Sequence, residues 1–408
     1  MQDRFEHFVM KNRGLYVRRQ FGEVLSRINE RRDKIQVIVG PRQVGKSTMM
    51  DQVLEKVTIP YTLSKADGVD PKDFDWIHRT WESARGLMRI NNEEERLLVI
   101  DEIQKIEGWS EGVKAEWDWD THNKVNIKLV LLGSSRLLLQ SGLKESLFGR
   151  FELIRMGHWS YSEMSEAFGF TLDEYIYFGG YPGSASLVRN ERRWKMYIKD
   201  SIASPAIEKD VLQTSKIYKP VLMKRLFELG CRYSTEVLSL TKVLGQLQDA
   251  GNVTTLASYL DLLDQCQLIC GLQKYANDDA RKYNSIPKFL VYNNALLSAF
   301  QRKSFNTARV NPEIWGRWVE SAVGAHLLSQ AEEDDFNVYY WRERDDEVDF
   351  IVQADDECIA LEVKSGRRSM NNGLSIFAEK FKPVHSYIIG TGGIPLEIFL
   401  KSSITDML

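Results

Sequence analysis

The stretch Gly40-Pro41-Arg42-Gln43-Val44-Gly45-Lys46-Ser47 decides the fold of the N-terminal part of this chain. It matches the pattern G-x-x-x-x-G-K-[ST] at every fixed position. The apolar run over residues 34–39 predicts a buried strand before it, and residues 47–57 predict a helix after it. A strand, a glycine-rich turn and a helix start bring backbone N–H groups and the positive end of a helix dipole around phosphate oxygens. The sequence therefore predicts a phosphate-binding loop.

The residue types in this loop favour a nucleotide with Mg²⁺. We expect Lys46 to reach the β- and γ-phosphates and the Ser47 hydroxyl to hold the metal ion. We expect the nucleotide contacts to come from the whole loop: Gly40, Pro41, Arg42, Gln43, Val44, Gly45, Lys46, Ser47 and Thr48. The alternative is a glycine turn that binds nothing, and four fixed residues between a strand and a helix argue against it.

A second apolar run, over residues 96–100, ends in Asp101 and Glu102. Apolar residues followed by two acids are the Walker B pattern of a buried parallel strand. At the carboxyl end of that strand, Asp101 would face the Mg²⁺ site and Glu102 would orient the attacking water. The alternative is a buried strand that ends in two solvated acids.

Three further residues are candidates for contact with the γ-phosphate. A third strand is predicted to end at Ser134 and Ser135, either of which can hydrogen-bond the γ-phosphate or the lytic water. A small-residue turn is the alternative there. Arg150, before a last strand at residues 153–156, is a candidate γ-phosphate sensor, in its own subunit or across a subunit interface. The alternative for Arg150 is an ordinary surface arginine.

Composition excludes several classes of protein. The 408 residues are 43% hydrophobic and 27% charged, with a net charge of −3, so any affinity for nucleic acid must be local. No stretch approaches the length of a membrane span, no signal peptide is recognisable, and four cysteines do not make a disulfide scaffold. We expect a cytoplasmic protein with no membrane partner. Cys266 and Cys270 are interpreted as packing residues, because their spacing is not C-x-x-C.

Taken together, these segments resemble a known family. Residues 40–47, 98–103, 132–135 and 146–150 are similar, in order and spacing, to prokaryotic AAA-type P-loop ATPases with a C-terminal DUF4143 region. The segment Gly179-Gly180-Tyr181-Pro182 looks like the G-G-[FY]-P segment of that family. The resemblance implies an α/β chain that binds ATP. Its implied parts are a parallel-sheet ATPase domain (1–160), a helical connector or lid (161–215), a winged-helix module (216–300) and a nuclease-like domain (301–408).

The pattern in the third part is that of a winged helix. Helices are predicted at 221–231, 240–250 and 254–263, followed by two wing strands at 268–272 and 288–292. The third helix would be the recognition helix, but it carries no Lys or Arg for phosphate contact. Packing or protein contact is therefore the alternative to DNA binding. Residues 1–33 are basic, and are either a solvated helix face or a phosphate-contacting segment.

The last part carries a second candidate site. The predicted order α-β-β-β-α-β, with Asp349 on one strand and Glu362 and Lys364 on the next, resembles the restriction-endonuclease-like PD-(D/E)xK fold. Residues two apart on a strand point to one face, so two carboxylates can hold Mg²⁺ beside a lysine. Glu320 on the preceding helix is a further candidate ligand. Val348 stands where that motif has proline. The alternative is a surface cluster of salt bridges.

The sequence leaves three functions open. The first is an Mg²⁺-dependent ATPase that controls a nuclease-like, nucleic-acid-associated module. The second is an ATP-regulated, metal-dependent DNA or RNA nuclease. The third is a non-cleaving, ATP-dependent switch that binds DNA or a protein partner. A GTPase is disfavoured because no N-K-x-D follows the third strand, and a homo-oligomer is expected if Arg150 acts across an interface.

Overall fold

The computed structural model describes residues 16–133, 146–212, 217–247, 252–276, 285–366 and 372–408. Two compact units divide the chain, one over residues 17–156 and one over residues 157–408 with Tyr16. The first unit holds the predicted ATPase domain. The second holds the regions predicted as connector, winged-helix module and nuclease-like domain, which therefore cluster together as one compact unit.

The first unit is built on a parallel five-stranded sheet. Its strands are β1 (Ile35–Val39), β2 (Tyr61–Lys65), β3 (Arg96–Asp101), β4 (Ile127–Gly133) and β5 (Phe151–Arg155). Their order across the sheet is β2-β3-β4-β1-β5, and every neighbouring pair is parallel. Both β1 and β3 are buried along their whole length, which is why they read as continuous apolar runs. The parallel P-loop sheet predicted from the sequence is confirmed.

One helix precedes the sheet and three connect its successive strands. They are α1 (Phe21–Asn29), α2 (Lys46–Leu54), α3 (Trp76–Asn91) and α4 (Trp109–Asn123), with a 3₁₀ turn at Ile103–Lys105. Side chains of α3 and α4 pack with strand residues in one hydrophobic core. Within it, the buried Asp120 carboxylate accepts hydrogen bonds from Trp81 Nε1 and Arg85 Nε, both at 2.8 Å.

The second unit begins with short helices. These are α5 (Tyr161–Phe168), α6 (Leu172–Phe178) and α7 (Glu191–Met196), with a 3₁₀ helix at Pro182–Leu187 and π-helical turns at Tyr197–Ala203 and Ala206–Val211. Between α6 and the 3₁₀ helix, the Asn293 side chain accepts a hydrogen bond from the Gly180 N–H at 3.0 Å. A Cβ on Gly180 would lie 2.1 Å from the Trp159 carbonyl oxygen, so only glycine fits this turn.

Three helices and a hairpin come next, in the order expected for a winged helix. They are α8 (Pro220–Arg232), α9 (Leu240–Leu247), α10 (Val253–Gln265), β6 (Ile269–Leu272) and β7 (Lys288–Val291). The two strands pair antiparallel. Leu256, Leu260 and Leu263 of α10 are buried, so one face of the expected recognition helix is used for packing.

The C-terminal part is a four-stranded sheet with helices around it. Its helices are α11 (Asn294–Phe300), α12 (Phe305–Val310), α13 (Pro312–Asp334), α14 (Gly373–Phe381) and α15 (Leu396–Phe399), with a 3₁₀ turn at Thr405–Met407. Its strands are β8 (Asn337–Glu343), β9 (Asp346–Ala354), β10 (Glu357–Lys364) and β11 (His385–Gly390). From α13 onward the order is the expected α-β-β-β-α-β, and the sheet order is β11-β10-β9-β8.

Within the described ranges, no helix combines the length and the apolar composition that crossing a lipid bilayer requires.

Candidate functional site

The phosphate-loop residues form a tight turn between β1 and α2. Gly45, just before the helix, has φ of 93°, and Gln43 has φ of 63°, so both lie in the left-handed region. At the start of the turn, a Cβ on Gly40 would lie 2.1 Å from the Met156 carbonyl oxygen. The two fixed glycines are therefore required by the backbone: Gly45 by its dihedral angle, Gly40 by close approach.

Lys46 is held at the loop by its own backbone. Its Nζ donates to the carbonyl oxygens of Gly40 at 2.8 Å and Pro41 at 2.7 Å, and the residue is only 7% exposed. These hydrogen bonds satisfy a nearly buried ammonium group. Phosphate oxygens placed in the loop would compete for the same three N–H donors.

Ser47 and Asp101 meet, as the sequence predicts for two ligands of one ion. The Ser47 hydroxyl donates to Asp101 Oδ2 at 2.9 Å. Asp101 ends β3 and is 7% exposed. Burial raises the pKa of Asp101, assisted by the charge of Glu102 and opposed by the hydrogen bond from Ser47. A hydroxyl and a carboxylate are oxygen donors of the kind that Mg²⁺ prefers, so the residues present fit this ion.

Glu102 turns out of the strand in a left-handed conformation. Its φ is 57°, and its N–H donates to the Leu132 carbonyl at 2.9 Å. Gln104 Nε2 donates to Glu102 Oε2 at 2.7 Å, and Gln104 is buried. Gln104 was not among the predicted site residues; it follows the two acids by two residues and orients the second of them. A positive φ at a non-glycine residue beside a candidate site is the kind of strain that functional sites retain.

One arginine of the basic N-terminal segment lies at the phosphate loop. Arg18 is buried, and its Nη1 donates to the Val44 carbonyl at 3.0 Å. Arg32 has a different role, because its guanidinium stacks on Trp117 and its Nε donates to the Ile127 carbonyl at 2.9 Å. Two arginines of the same basic segment therefore have different partners, which the composition of the segment does not predict.

Arg150 lies at the opposite end of the sheet. Its carbonyl accepts from the N–H of Ile35, the first residue of β1, at 2.8 Å. The phosphate loop follows the other end of this five-residue strand. At a rise of about 3.3 Å per residue, the backbone of Arg150 therefore lies roughly 16 Å from the start of the loop. The Arg150 guanidinium makes two hydrogen bonds to Asp118, at 2.8 and 3.1 Å. The structure does not bring Arg150 to the phosphate loop of its own chain.

The structure does not describe the other two candidate contacts for the γ-phosphate. Ser134 and Ser135 are outside the described residues, and Gly133 is the last described residue of β4.

In the second unit, Glu320 and Asp349 surround the side chain of Lys288. Lys288 Nζ lies 2.6 Å from Glu320 Oε1, 3.4 Å from Glu347 Oε1 and 3.8 Å from Asp349 Oδ1. The lysine side chain is completely inaccessible to solvent. Burial raises the pKa of Glu320, with the negative charge of Asp349 adding to the effect and the ammonium of Lys288 opposing it.

The remaining candidates of this second site pair with neighbours. Asp349 Oδ2 accepts from the Val363 N–H at 2.7 Å, and Lys364 Nζ donates to Glu362 Oε1 at 2.5 Å. Across the described ranges, no group of three or more His, Cys, Asp or Glu side chains is arranged to hold a metal ion. The sequence analysis missed Lys288, which lies 32 or more residues before every expected ligand and on a different element.

Family comparisons divide the chain into three regions. Residues 32–165 match an AAA domain, residues 169–307 match a domain of unknown function (DUF8612), and residues 315–404 match a domain of unknown function (DUF4143). The DUF4143 match is thus confined to the C-terminal sheet and its helices, and the helical region before it has a family of its own.

Two relatives extend over most of the chain. An uncharacterized protein of Haemophilus influenzae is 23% identical over 351 residues, which cover 81% of this chain and 82% of the relative. An uncharacterized protein of Methanocaldococcus jannaschii is also 23% identical, over 345 residues that cover 78% of this chain and 72% of the relative.

A solved structure shares the fold. A Walker-type ATPase of Pyrococcus abyssi superposes with a TM-score of 0.50 at 15% identity, covering 70% of this chain and 96% of that one. This likeness agrees with the parallel sheet and phosphate loop described above. The chain therefore combines an AAA-type P-loop ATPase domain with a C-terminal DUF4143 region.

Proposed function

We propose that residues 17–156 bind ATP with Mg²⁺ and hydrolyse it. The observation that carries this proposal is the hydrogen bond of 2.9 Å between Ser47 and Asp101, beside the buried ammonium of Lys46. These three side chains come from the phosphate loop after β1 and from the end of β3, at the edge of the sheet where ligands of open α/β sheets collect. The AAA domain matched at residues 32–165 supports the same conclusion.

The residues divide the work as follows. Loop N–H groups and Lys46 bind the phosphates and stabilise the charge that moves onto them in the transition state. Mg²⁺, when bound, would be held by Ser47 and Asp101 and would neutralise phosphate charge. The Glu102 carboxylate orients a water molecule and accepts its proton, and Gln104 fixes the direction of that carboxylate.

Purified protein would test this with ATP turnover and nucleotide binding measured side by side. Lys46→Ala should lose both, because it removes the ammonium that binds the phosphates. Glu102→Gln should keep binding and lose about 10²-fold or more in kcat, as expected for a group that moves a proton. Turnover that survives in both variants would refute the site. Arg89→Ala, on an exposed arginine of α3, is the matched control and should behave as the unchanged protein does.

The finer part of the proposal is that the nucleotide state controls a nuclease-like, nucleic-acid-associated second unit. A groove of about 760 Å³ in this unit supports nucleic-acid contact. Its lining includes one acid, Glu343, which pairs with Lys380. The other basic and the aromatic side chains that support such contact include Lys274, Arg342, Arg344, Tyr275 and Phe381. Basic side chains can follow a phosphate backbone, and aromatic rings can stack on unpaired bases.

A cleaving nuclease is the second candidate function. The α-β-β-β-α-β order with Asp349, Glu362 and Lys364 on adjacent strands favours it. A cleavage assay on single-stranded DNA, duplex DNA and RNA with Mg²⁺ or Mn²⁺ tests it directly. Cleavage lost in both Asp349→Ala and Lys364→Ala would establish this candidate, and its absence under all conditions would leave binding as the role of the unit.

A further inference from the structure

The carboxylate cluster of the second unit already contains a cation. Lys288 Nζ is within 4 Å of one oxygen of each of three side-chain carboxylates, on Glu320, Glu347 and Asp349. It also donates to the Asp349 carbonyl at 3.2 Å. No part of the Lys288 side chain is accessible to solvent. A buried lysine is rare unless it is paired, and this one is paired on several sides.

The backbone fixes this lysine in place. Lys288 is the first residue of β7, where it pairs with Leu272 of β6 on one side and bridges to Val237 on the other. The next residue, Phe289, donates its N–H to the Glu236 carbonyl at 3.0 Å. Hydrogen bonds on both edges of the strand make withdrawal of the side chain costly, because several buried backbone groups would lose their partners.

The ammonium occupies the space between Glu320, Glu347 and Asp349, and two of these three, Glu320 and Asp349, are expected metal ligands. Oxygen ligands surround Mg²⁺ at about 2.0–2.1 Å and Ca²⁺ at about 2.3–2.6 Å, whereas the oxygens here stand 2.6–3.8 Å from Nζ. A second cation in the same small, buried space would be repelled by the first. Removing the ammonium would leave three partly buried carboxylates, 16–29% exposed, close together without its positive charge, which is destabilising.

The other expected metal ligands are also engaged. Asp349 accepts a hydrogen bond from Val363 through its second oxygen, and Glu362 is paired with the ammonium of Lys364 at 2.5 Å. Each expected ligand therefore has at least one oxygen engaged by a protein cation or an N–H group. Glu320 and Asp349 face the Lys288 ammonium, so with this lysine in place they do not fit a divalent metal.

We propose that the Lys288 ammonium is the permanent cation of this cluster, so that the second unit binds no divalent metal there and does not cleave nucleic acid. The Lys288 ammonium thus takes the place of a catalytic metal ion, and its own role is structural. This inference does not depend on ATP hydrolysis in the first unit, because all of its residues belong to the second unit.

Direct metal binding tests the proposal without an activity assay. Mn²⁺ would be titrated into nucleotide-free full-length protein, with free Mn²⁺ followed by electron paramagnetic resonance. Mn²⁺ binding at the cluster is measured as the difference in bound Mn²⁺ between the unchanged protein and Asp349→Asn. We expect the unchanged protein and Asp349→Asn to bind Mn²⁺ equally. A wild-type site that disappears in Asp349→Asn would overturn the proposal.

Removing the ammonium should create a metal site. Lys288→Met keeps most of the side-chain volume, and we expect it to gain a Mn²⁺ site at least about tenfold tighter than the unchanged protein shows. Mn²⁺ should also raise its Tm. Lys288→Arg keeps the charge and should gain neither property. Adding Asp349→Asn to Lys288→Met should abolish the new site.

Folding of the variant is the practical risk, since Lys288→Met leaves three partly buried acids close together without a cation. The double variant Lys288→Met/Glu320→Gln removes one of these charges and keeps Glu347 and Asp349 as oxygen donors. If it folds but gains no Mn²⁺ binding, the ammonium does not occupy a cation position and the proposal fails. If it gains a site that requires Asp349, the proposal stands.

Discussion

Lys46 and Lys288 are two buried ammonium groups with different kinds of partner. Lys46 donates to two carbonyl oxygens of its own loop, which carry only partial charges. Lys288 lies among three carboxylates, two of which approach within 3.4 Å. Carbonyl partners can be exchanged for phosphate oxygens at small cost, whereas separating a buried ion pair costs several kcal/mol, of the order of 3–5. The first arrangement suits ligand binding and the second suits permanent structure.

At the residue scale, Glu320 predicts a pH dependence of stability. Burial raises its pKa to about 8, Asp349 and Glu347 add to this, and Lys288 opposes it. A carboxyl group whose pKa is higher in the folded protein contributes stability at low pH, which is lost as the pH rises toward the folded value. We expect the free energy of unfolding to fall between about pH 5 and 8, with a slope of at most about 1.4 kcal/mol per pH unit from this group.

Glu320→Gln provides the matched comparison for this effect. Glutamine resembles the protonated acid, so the variant should match the unchanged protein near pH 5 and exceed it in Tm near pH 8. Arg317 also faces this carboxylate and remains in both proteins. A Tm difference that stays constant from pH 5 to 8 would contradict the raised pKa.

At the scale of elements, the turn between α6 and the 3₁₀ helix is set by close packing. We expect Gly180→Ala to lower the Tm and cost roughly 2–3 kcal/mol, because the new methyl group would meet the Trp159 carbonyl oxygen at 2.1 Å. Gly245→Ala is the control, since nothing lies within 4 Å of that position in α9. The control should be neutral or gain up to about 1 kcal/mol through helix propensity. Equal Tm values for the two variants would argue against the described turn.

The sequence was most informative where local pattern and motif coincide. The apolar runs at β1 and β3 predicted buried parallel strands, and the phosphate-loop pattern predicted the meeting of Ser47 with Asp101, because both follow strand ends at one edge of the sheet. The order of elements around β8, β9 and β10 was also readable from alternation and spacing.

The sequence was least informative where distant segments meet. Nothing local to β7 indicates that Lys288 reaches acids on α13 and β9, because its pattern is that of an ordinary wing strand. Likewise, Arg150 and Asp118 are 32 residues apart. Such contacts depend on tertiary placement, which residue periodicity does not encode. Ser135 lies outside the described residues, so its contact with the γ-phosphate stays a prediction.

At the scale of the whole molecule, the position of Arg150 limits the contacts that it can make with a nucleotide. Its own phosphate loop lies at the other end of the sheet, so any contact with a γ-phosphate would be made with the loop of a second copy. We expect Lys46→Ala and Arg150→Ala each to have little ATPase activity. Mixed together, they should regain part of it, because intact Arg150 residues of the first variant would complete intact loops of the second.

Protein concentration and a second arginine provide the controls for this mixing experiment. The ATPase activity recovered on mixing should rise with total protein concentration. In the control mixture, Arg89→Ala takes the place of Arg150→Ala, and we expect Arg89→Ala to be active without any second variant. If Arg150→Ala has full activity by itself, the arginine has no part in hydrolysis. If mixing restores nothing while the single variants are inactive, Arg150 does not act across copies.

We propose that ATP binding and hydrolysis in the first unit control nucleic-acid binding by the second. This is tested by the Kd of labelled single-stranded DNA, duplex DNA and RNA for Glu102→Gln, measured with ATP and with ADP at fixed salt. We expect at least about a fivefold difference in Kd between the two nucleotides for one of these ligands. We also expect loss of binding in Arg342→Glu/Arg344→Glu but not in Lys401→Glu. Equal Kd values with ATP and ADP, or no binding of any of the three, would contradict it.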